Sequence, residues 1–147
     1  MGDSDSFDTL NIEDNILRGV YSYGFEKPSM IQVKAIPKII EGKDIIAQAQ
    51  SGTGKTGAFT IGSLCRVDKD LNETQILILV PTHELANQVY TVIQEISNYS
   101  DISLMRVLGG TSVNMCIEEL KKRPQVIIGT PGRVLDIGCG PGWILST

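Results

Sequence analysis

AQSGTGKT, residues 49–56, is a glycine-rich run that ends in Gly-Lys-Thr. Its glycines allow successive backbone N–H groups to turn inward around phosphate oxygens, at the positive end of the helix that follows. In such a loop Lys55 reaches the β- and γ-phosphates of a nucleotide, and the hydroxyl of Thr56 binds Mg²⁺. We therefore predict a nucleotide site in which Lys55 and Thr56 are catalytic and Thr56 is the metal ligand. The residues predicted to contact the nucleotide here are Ala49, Gln50, Ser51, Gly52, Thr53, Gly54, Lys55 and Thr56.

This stretch departs from the common pattern at one position, because Ala49 stands where that pattern has glycine. The alternative interpretation of the stretch is a plain strand-to-helix turn that binds no nucleotide. Gly-Lys-Thr directly after a buried strand and before a helix argues against that alternative.

Strand and helix patterns alternate on both sides of this loop. Asp44–Gln48 predicts a short buried strand before it, and apolar runs at 75–80, 103–108 and 126–129 predict three more. Helical patterns precede, separate and follow these runs. The alternation predicts an α/β fold, with a mostly parallel sheet and helices on both faces.

Four loops follow the predicted strands, at residues 49–54, 81–82, 109–110 and 130–132. In open parallel sheets, ligands bind beyond the carboxyl ends of the strands. We therefore expect the four loops to meet on one rim of the sheet.

The bulk properties exclude several classes of protein. The chain has 147 residues, one ordinary domain, and its net charge of −4 argues against a broad electrostatic grip on nucleic acid. No apolar run is long enough to span a membrane, and the polar, acidic N-terminus is unlike a secretory signal. Three scattered cysteines without metal-ligand spacing favour a reducing, cytoplasmic setting.

A second motif lies upstream of the glycine-rich loop. The run Gly24-Phe25-Glu26-Lys27-Pro28-Ser29-Met30-Ile31-Gln32, with Phe7 before it, resembles the Q motif of DEAD-box RNA helicases. The resemblance implies that the Gln32 amide binds the adenine edge, that Phe25 packs on the ring and that Lys27 belongs to the same site. Gln32 also suits a capping box with Ser29, and both roles are compatible.

Further motifs of the same family follow in the family's order. Pro81-Thr82-His83-Glu84-Leu85-Ala86 resembles motif Ia, Gly109-Gly110 the GG motif, and Thr130-Pro131-Gly132-Arg133 motif Ib. In the family these loops hold the backbone of single-stranded RNA. The residues that the resemblance assigns to RNA are Pro81, Thr82, Gly109, Gly110, Thr130 and Arg133.

Each of these motifs also has a structural alternative. Thr82 and Ser112 suit helix N-caps, Gly109-Gly110 suits a tight turn, and Arg133 suits a solvated surface position. His83 departs from the family, which usually has arginine there.

The resemblance covers residues 7–137 and implies an incomplete RecA-like P-loop domain over residues 1–137, ending after motif Ib. Residues 138–147 form a divergent glycine-rich tail. The Asp-Glu-Ala-Asp motif, the Ser-Ala-Thr motif and the second RecA-like domain do not occur in the sequence. The resemblance implies ATP and Mg²⁺ as cofactors and single-stranded RNA as partner, and we expect no membrane association and no activity from the chain alone.

Within the family, LRGVYSYGFEKPSMIQ and AQSGTGKTGAF are most similar to the translation-initiation branch, which implies scaffold proteins of initiation as partners. Two alternatives stay open. One is a nucleotide- and RNA-binding module without turnover. The other is a fragment of a methyltransferase that binds S-adenosylmethionine, because Val134-Leu-Asp-Ile-Gly-Cys-Gly-Pro-Gly142 imitates the strand and glycine-rich loop of those enzymes.

Overall fold

The computed structural model describes residues 6–50, 52, 54–110 and 112–138. The chain divides into two compact units, one comprising the residues up to Val67 with Val92–Asp101, and the other Asp68–Thr91 with the residues from Ile102 onward. The helices are α1 Asp14–Tyr23, α2 Met30–Ile40, α3 Lys55–Cys65, α4 His83–Ile96, α5 Val113–Leu120 and α6 Pro131–Gly138, and the strands are β1 Ile76–Leu79, β2 Leu104–Val107 and β3 Val126–Gly129. Short 3₁₀ turns occupy Phe7–Thr9 and Ser97–Tyr99.

The second unit, called the sheet unit below, contains the three strands in the order β1-β3-β2. Both pairings are parallel, and Leu79 and Val107 lie opposite Gly129 at the carboxyl ends. Gly129 has a packing reason to lack a side chain, since an added Cβ would lie 2.6 Å from the Val107 carbonyl oxygen. The predicted α/β fold with a parallel sheet is confirmed, as are three of its four strands.

Helices cover both faces of this sheet, as predicted. On one face Val107 and Ile127 pack with Cys116 of α5 and with Val134 of α6 in a buried cluster. On the other face lies α4, because the guanidinium of Arg106 contacts side chains of that helix. The second face is the one that carries Ile78 and Ile128, which share a register row with Arg106.

The first unit, called the helical unit below, is built mainly from packed helices. Ile36 of α2 and Ile61 of α3 are fully buried, and α2 packs on α3. The contact is close at Gly62, where an added Cβ would lie 2.7 Å from Ile39 Cγ2. Gly19 of α1 lies directly against the carbonyl of Ile96. Small residues at these crossings let the helix backbones approach each other.

The strand predicted at Asp44–Gln48 is wrong. These residues have no strand conformation, and Ile46 is 98% exposed. A β-strand exists through hydrogen bonds to a neighbouring strand. Residues 44–48 belong to the helical unit, which has no strand among its described residues with which they could pair. The apolar run therefore lies exposed.

Two bulk predictions can be compared with the structure. In the described part of the chain, no helix is both long enough and apolar enough to cross a lipid bilayer. Burial raises the pKa of the Cys65 and Cys116 thiols, so both favour the protonated form, which is a poor nucleophile and a poor metal ligand. Cys139 lies outside the described residues.

Candidate functional site

Gln32 is the central residue of the site in the helical unit. Ser29 caps α2, and the Gln32 side-chain oxygen accepts a hydrogen bond from the Ser29 N–H at 2.9 Å. The Gln32 amide nitrogen donates to the carbonyl oxygen of Gly54 at 3.2 Å. The capping box predicted from sequence is confirmed. The same amide therefore also binds the backbone at the end of the glycine-rich loop. Gln32 is only 2% exposed.

Two glycines allow this close approach between α2 and α3. Gly54 has a positive φ of 96°, and an added Cβ there would lie 2.7 Å from both the Gln32 amide nitrogen and the Ser29 hydroxyl oxygen. At Gly57, in the first turn of α3, an added Cβ would lie 2.6 Å from the Gln32 amide nitrogen and 3.2 Å from Phe25 Cζ. The Gln32 amide and the Phe25 ring therefore meet over the backbone of Gly57.

The Phe25 ring lies within a cluster of aromatic side chains. Its centroid is 5.0 Å from the Tyr23 ring and 6.0 Å from the Phe7 ring. Phe7 is fully buried and meets Tyr21 edge-on, while the Tyr21 hydroxyl donates to Asp8 at 2.9 Å. Phe25 itself is half-buried, so part of its surface is accessible. This arrangement presents a flat apolar surface beside the Gln32 amide.

The glycine-rich loop leads into the N-terminus of α3. Gly52 and Gly54 both have positive φ angles, which glycine adopts readily. Lys55 and Thr56 begin α3 and are exposed, and Lys55 lines an open pocket of about 470 Å³ together with Ala47–Gln50. The first N–H groups of a helix have no intrahelical acceptor and carry partial positive charge. With the Lys55 ammonium, this end of α3 favours an anionic ligand.

Other residues predicted for the nucleotide lie near this loop or outside the described residues. Ala49 is half-buried and Gln50 exposed, both beside Lys55 in the pocket. Lys27 is exposed on the segment before α2. Ser51 and Thr53 lie outside the described residues.

Metal binding depends on a small donor set. Among the described residues, no three His, Cys, Asp or Glu side chains group closely enough to hold a metal ion. Mg²⁺ in nucleotide sites keeps several waters and binds phosphate oxygens, and in P-loops the hydroxyl of the Ser or Thr after the lysine is one of its protein ligands. The exposed Thr56 at the start of α3 fits that mode.

In the sheet unit, the three predicted RNA loops lie at the carboxyl ends of the strands. Pro81-Thr82 follows β1, Gly109-Gly110 follows β2, and Thr130 follows β3, at strand ends that share one register. Pro81, Thr82 and Gly110 are exposed, while Gly109 and Thr130 are half-buried. The prediction that these three loops share a rim is confirmed. The glycine-rich loop lies in the other unit, so its place on that rim stays a prediction.

Local contacts shape these three loops. The Thr82 hydroxyl accepts from the Leu85 N–H at 3.2 Å and so caps α4, as the structural alternative predicted. His83 lies against the second loop, because a Cβ added to Gly109 would be 3.2 Å from the His83 Nε2. Arg133 is half-buried on α6, and its charge partly opposes the rise in the pKa of Cys116 that burial causes.

The contacts of Gly57, Tyr23 and Arg106 were not predicted from sequence. Gly57 follows Gly-Lys-Thr inside a helix, where glycine costs about 1 kcal/mol relative to alanine. An unfavourable glycine at this position indicates a close contact, and this was the signal that the sequence offered. Tyr23 sits two residues before Phe25 and shares its aromatic character. Arg106 interrupts an apolar strand.

Comparison with known proteins gives a consistent match. The family model described as DEAD/DEAH box helicase matches residues 29–143. An ATP-dependent RNA helicase eIF4A from Meyerozyma guilliermondii is 52% identical over 132 residues, 90% of this chain and 33% of the relative. The eIF4A of Phaeosphaeria nodorum is 50% identical over 91% of this chain and 34% of the relative. The chain therefore spans about a third of the length of these curated relatives.

Solved structures agree with these matches. A DEAD box protein from the hyperthermophile Methanococcus jannaschii superposes with a TM-score of 0.83 at 38% identity, covering 89% of this chain and 36% of that protein. Saccharomyces cerevisiae Dbp5 bound to RNA and ADP BeF3 gives a TM-score of 0.81 at 37% identity, covering 91% of this chain and 34% of Dbp5.

The methyltransferase alternative finds no support in the fold. Residues 134–137, which would have to form the first strand of a methyltransferase sheet, belong to helix α6. The helicase family model also continues to residue 143, through the glycines that suggested the alternative. Residues 139–147 lie outside the described part of the chain.

Proposed function

Because the chain belongs to the DEAD/DEAH box helicase family, we propose that it binds ATP through its helical unit and the backbone of single-stranded RNA through its sheet unit. It would form the N-terminal RecA-like part of an ATP-dependent RNA helicase of the translation-initiation type. The similarity to eIF4A helicases supports the choice of branch. The neighbour bound to RNA and ADP BeF3 supports the choice of ligands.

The hydrogen bonding of Gln32 is the observation that carries the proposal. Its amide has two N–H donors and its oxygen two lone pairs, and the contacts to Gly54 and Ser29 use one of each. One donor and one acceptor are left, and this pair matches N7 and N6 of adenine. The Phe25 ring lies beside the amide and offers a surface on which the base can stack. ATP recognition therefore needs no rupture of the capping box.

The phosphates would bind at the start of α3. The backbone N–H groups of Gly52, Gly54, Lys55 and Thr56 and the Lys55 ammonium would surround them, and the exposed Thr56 hydroxyl would hold Mg²⁺. When bound, the metal supplies charge that neutralises phosphate oxygens.

The three loops of the sheet unit would hold RNA. Thr82, Thr130 and Arg133 offer hydroxyl and guanidinium donors. Gly110, where an added Cβ would meet no atom within 4 Å, leaves the backbone open to a close approach, while Gly109 packs against His83. Contacts of this type go to phosphates and sugars and carry no direct sequence information. They also need no basic surface, in agreement with the net charge of −4.

The proposal extends to the organisation and setting of the chain. Residues 1–137 would form the helicase domain and residues 138–147 the divergent tail, the first residues of which, up to 143, still match the family model. A cytoplasmic location and scaffold proteins of translation initiation as partners are part of the proposal, and they rest on the resemblance of residues 17–32 and 49–59 to the translation-initiation branch.

Removal of the Lys55 charge tests the nucleotide site. We expect Lys55→Ala to weaken ATP binding by about tenfold to a hundredfold, since hydrogen bonds to charged groups contribute about 1.5–3 kcal/mol. Isothermal titration of the 147-residue chain with Mg-ATP measures this. Lys122→Ala removes the same charge from an exposed position in the sheet unit and serves as the matched control. Equal ATP affinity in parent and Lys55→Ala would contradict the site.

A second candidate function is nucleotide and RNA binding without turnover by the chain alone. The observation that favours it is the donor set, because no three His, Cys, Asp or Glu side chains group together among the described residues and the proposed magnesium ligand is a single hydroxyl, that of Thr56. An arginine that faces the transition-state charge is worth roughly 10³–10⁵ in rate in related phosphoryl transfers. We expect phosphate release by the purified chain to be the same with and without single-stranded RNA. RNA-stimulated release that disappears in Lys55→Ala would contradict this and would implicate Asp136, exposed on α6.

A further inference from the structure

Arg106 is an exposed cation in the sheet unit that the proposed function does not use. It lies on β2, one of the two edge strands of the described sheet, on the face covered by α4. Its guanidinium stacks over the Tyr90 ring, with Cζ 4.4 Å from the ring centroid. One guanidinium nitrogen donates to the Asn87 side-chain oxygen at 2.9 Å. Both partners come from α4, so the strand and the helix together hold the guanidinium in one place.

Most N–H donors of the Arg106 guanidinium have no acceptor among the described residues. Arginine carries five N–H groups, and among the described residues Arg106 has one hydrogen-bond acceptor, Asn87, and no carboxylate within 4 Å. The Tyr90 ring contacts its flat face and takes no N–H group in the guanidinium plane. A guanidinium that is held in place yet unneutralised suits a bidentate contact with a phosphate.

The position of Arg106 relates it to the proposed RNA loops. Residues 83 and 87 are one turn apart on α4 and share a face. His83, in the first turn of α4, lies against Gly109. Asn87, one turn further along the helix, accepts a hydrogen bond from Arg106. The contacts between α4 and β2 therefore continue from the Gly109-Gly110 loop to the Arg106 guanidinium. Arg106 precedes Gly109 by three residues, which places its Cα about 10 Å along the strand from that loop.

We infer that Arg106 binds one further phosphate of the RNA backbone and extends the RNA path from the Gly109-Gly110 loop along β2, on the side where α4 holds the guanidinium. Tyr90 and Asn87 position the guanidinium for this contact. The inference rests on the proposed RNA function of the sheet unit. The ligand is a phosphodiester, and the contact is independent of base identity because the guanidinium meets only the backbone.

The salt dependence of RNA binding tests this contact. Each phosphate neutralised on a single strand contributes about 0.7 to the slope of log K against log salt. We expect Arg106→Gln to reduce the magnitude of that slope by about 0.7, measured by fluorescence anisotropy with labelled oligouridylate and the full 147-residue chain over a range of KCl concentrations. Arg106→Lys keeps the charge and is expected to restore the slope.

Arg18 provides a matched control. Its guanidinium stacks on the Tyr99 ring, with Cζ 4.3 Å from the centroid, but it belongs to α1 in the helical unit. Arg18→Gln is expected to leave the slope unchanged. An unchanged slope in Arg106→Gln, or the same reduction in Arg18→Gln, would overturn the inference while the proposed RNA function stands. Absence of salt-dependent binding by the parent chain would overturn both.

Discussion

In the helical unit the proposed nucleotide site depends on one buried glutamine, whereas in the sheet unit the proposed RNA site forms where three parallel strands end. The Gln32 amide contacts the backbone of Ser29 and Gly54 at the same time. The RNA loops have no comparable central side chain among the described residues. Their positions come from the shared register of Leu79, Val107 and Gly129.

The two sites are therefore expected to be sensitive to different kinds of mutation. A site that depends on one amide is expected to lose its selectivity through a single side-chain change that leaves the fold intact. A site built on strand register distributes its contacts over backbone groups and hydroxyls. It is therefore expected to fail mainly when the sheet itself is disturbed.

A substitution that disturbs the strand register is expected to change stability more than one at the nucleotide site. Gly129→Ala adds a Cβ 2.6 Å from the Val107 carbonyl oxygen and 2.7 Å from Val134 Cγ2. Because backbone on one side cannot yield freely, we expect the free energy of unfolding to fall by about 1–3 kcal/mol, as for overpacked cores. Urea denaturation followed by circular dichroism measures this.

Gly132→Ala is the matched control for that change. An added Cβ at Gly132 meets no atom within 4 Å, and the residue lies within α6, where alanine is favoured by up to about 1 kcal/mol. We expect its stability to equal or exceed that of the parent. A Gly129→Ala variant as stable as Gly132→Ala would contradict the expected sensitivity of the sheet unit, because the sheet would then tolerate disturbance at its aligned ends.

A smaller and more selective effect is expected at Gly57. In Gly57→Ala the new Cβ would lie 2.6 Å from the Gln32 amide nitrogen, which is the end of a flexible side chain and can move. We expect ATP affinity to fall about fivefold, the value of one hydrogen bond of about 1 kcal/mol. Stability is expected to be unchanged or higher, since alanine is the better helix former. Calorimetric titration and urea denaturation measure the two quantities.

A double-mutant cycle shows whether Gly57 acts through Gln32. If it does, Gly57→Ala adds no further loss of ATP affinity in a Gln32→Ala background. Additive losses would mean that Gly57 contacts the nucleotide by another route. A fall in stability with unchanged ATP affinity would contradict the role assigned to this glycine.

The elements predicted most accurately were those specified by neighbouring residues. Apolar runs predicted β1, β2 and β3, and the spacing of Ser29 and Gln32 predicted the capping box. Both signals are local, since an apolar run favours burial and a cap needs a partner three residues away.

The prediction failed where an element depends on a distant partner. The run at 44–48 resembles the confirmed strands in composition, yet its unit has no described strand with which it could pair. An apolar run shows that a segment can be buried in a sheet and leaves open which strand it joins. The contacts of Gly57 with Gln32 and of Arg106 with Tyr90 likewise join residues far apart in sequence, and no local pattern specifies them.

Nucleotide selectivity tests the central role of Gln32 most directly. Calorimetric titration with Mg-ATP and Mg-GTP should show that the parent chain prefers ATP and that Gln32→Ala loses this preference, because the adenine edge then lacks its donor and acceptor. Gln125→Ala is the matched control: it removes a buried, hydrogen-bonded glutamine from the sheet unit and should retain the preference. A parent chain that binds GTP as tightly as ATP, with Gln32→Ala unchanged, would contradict the account.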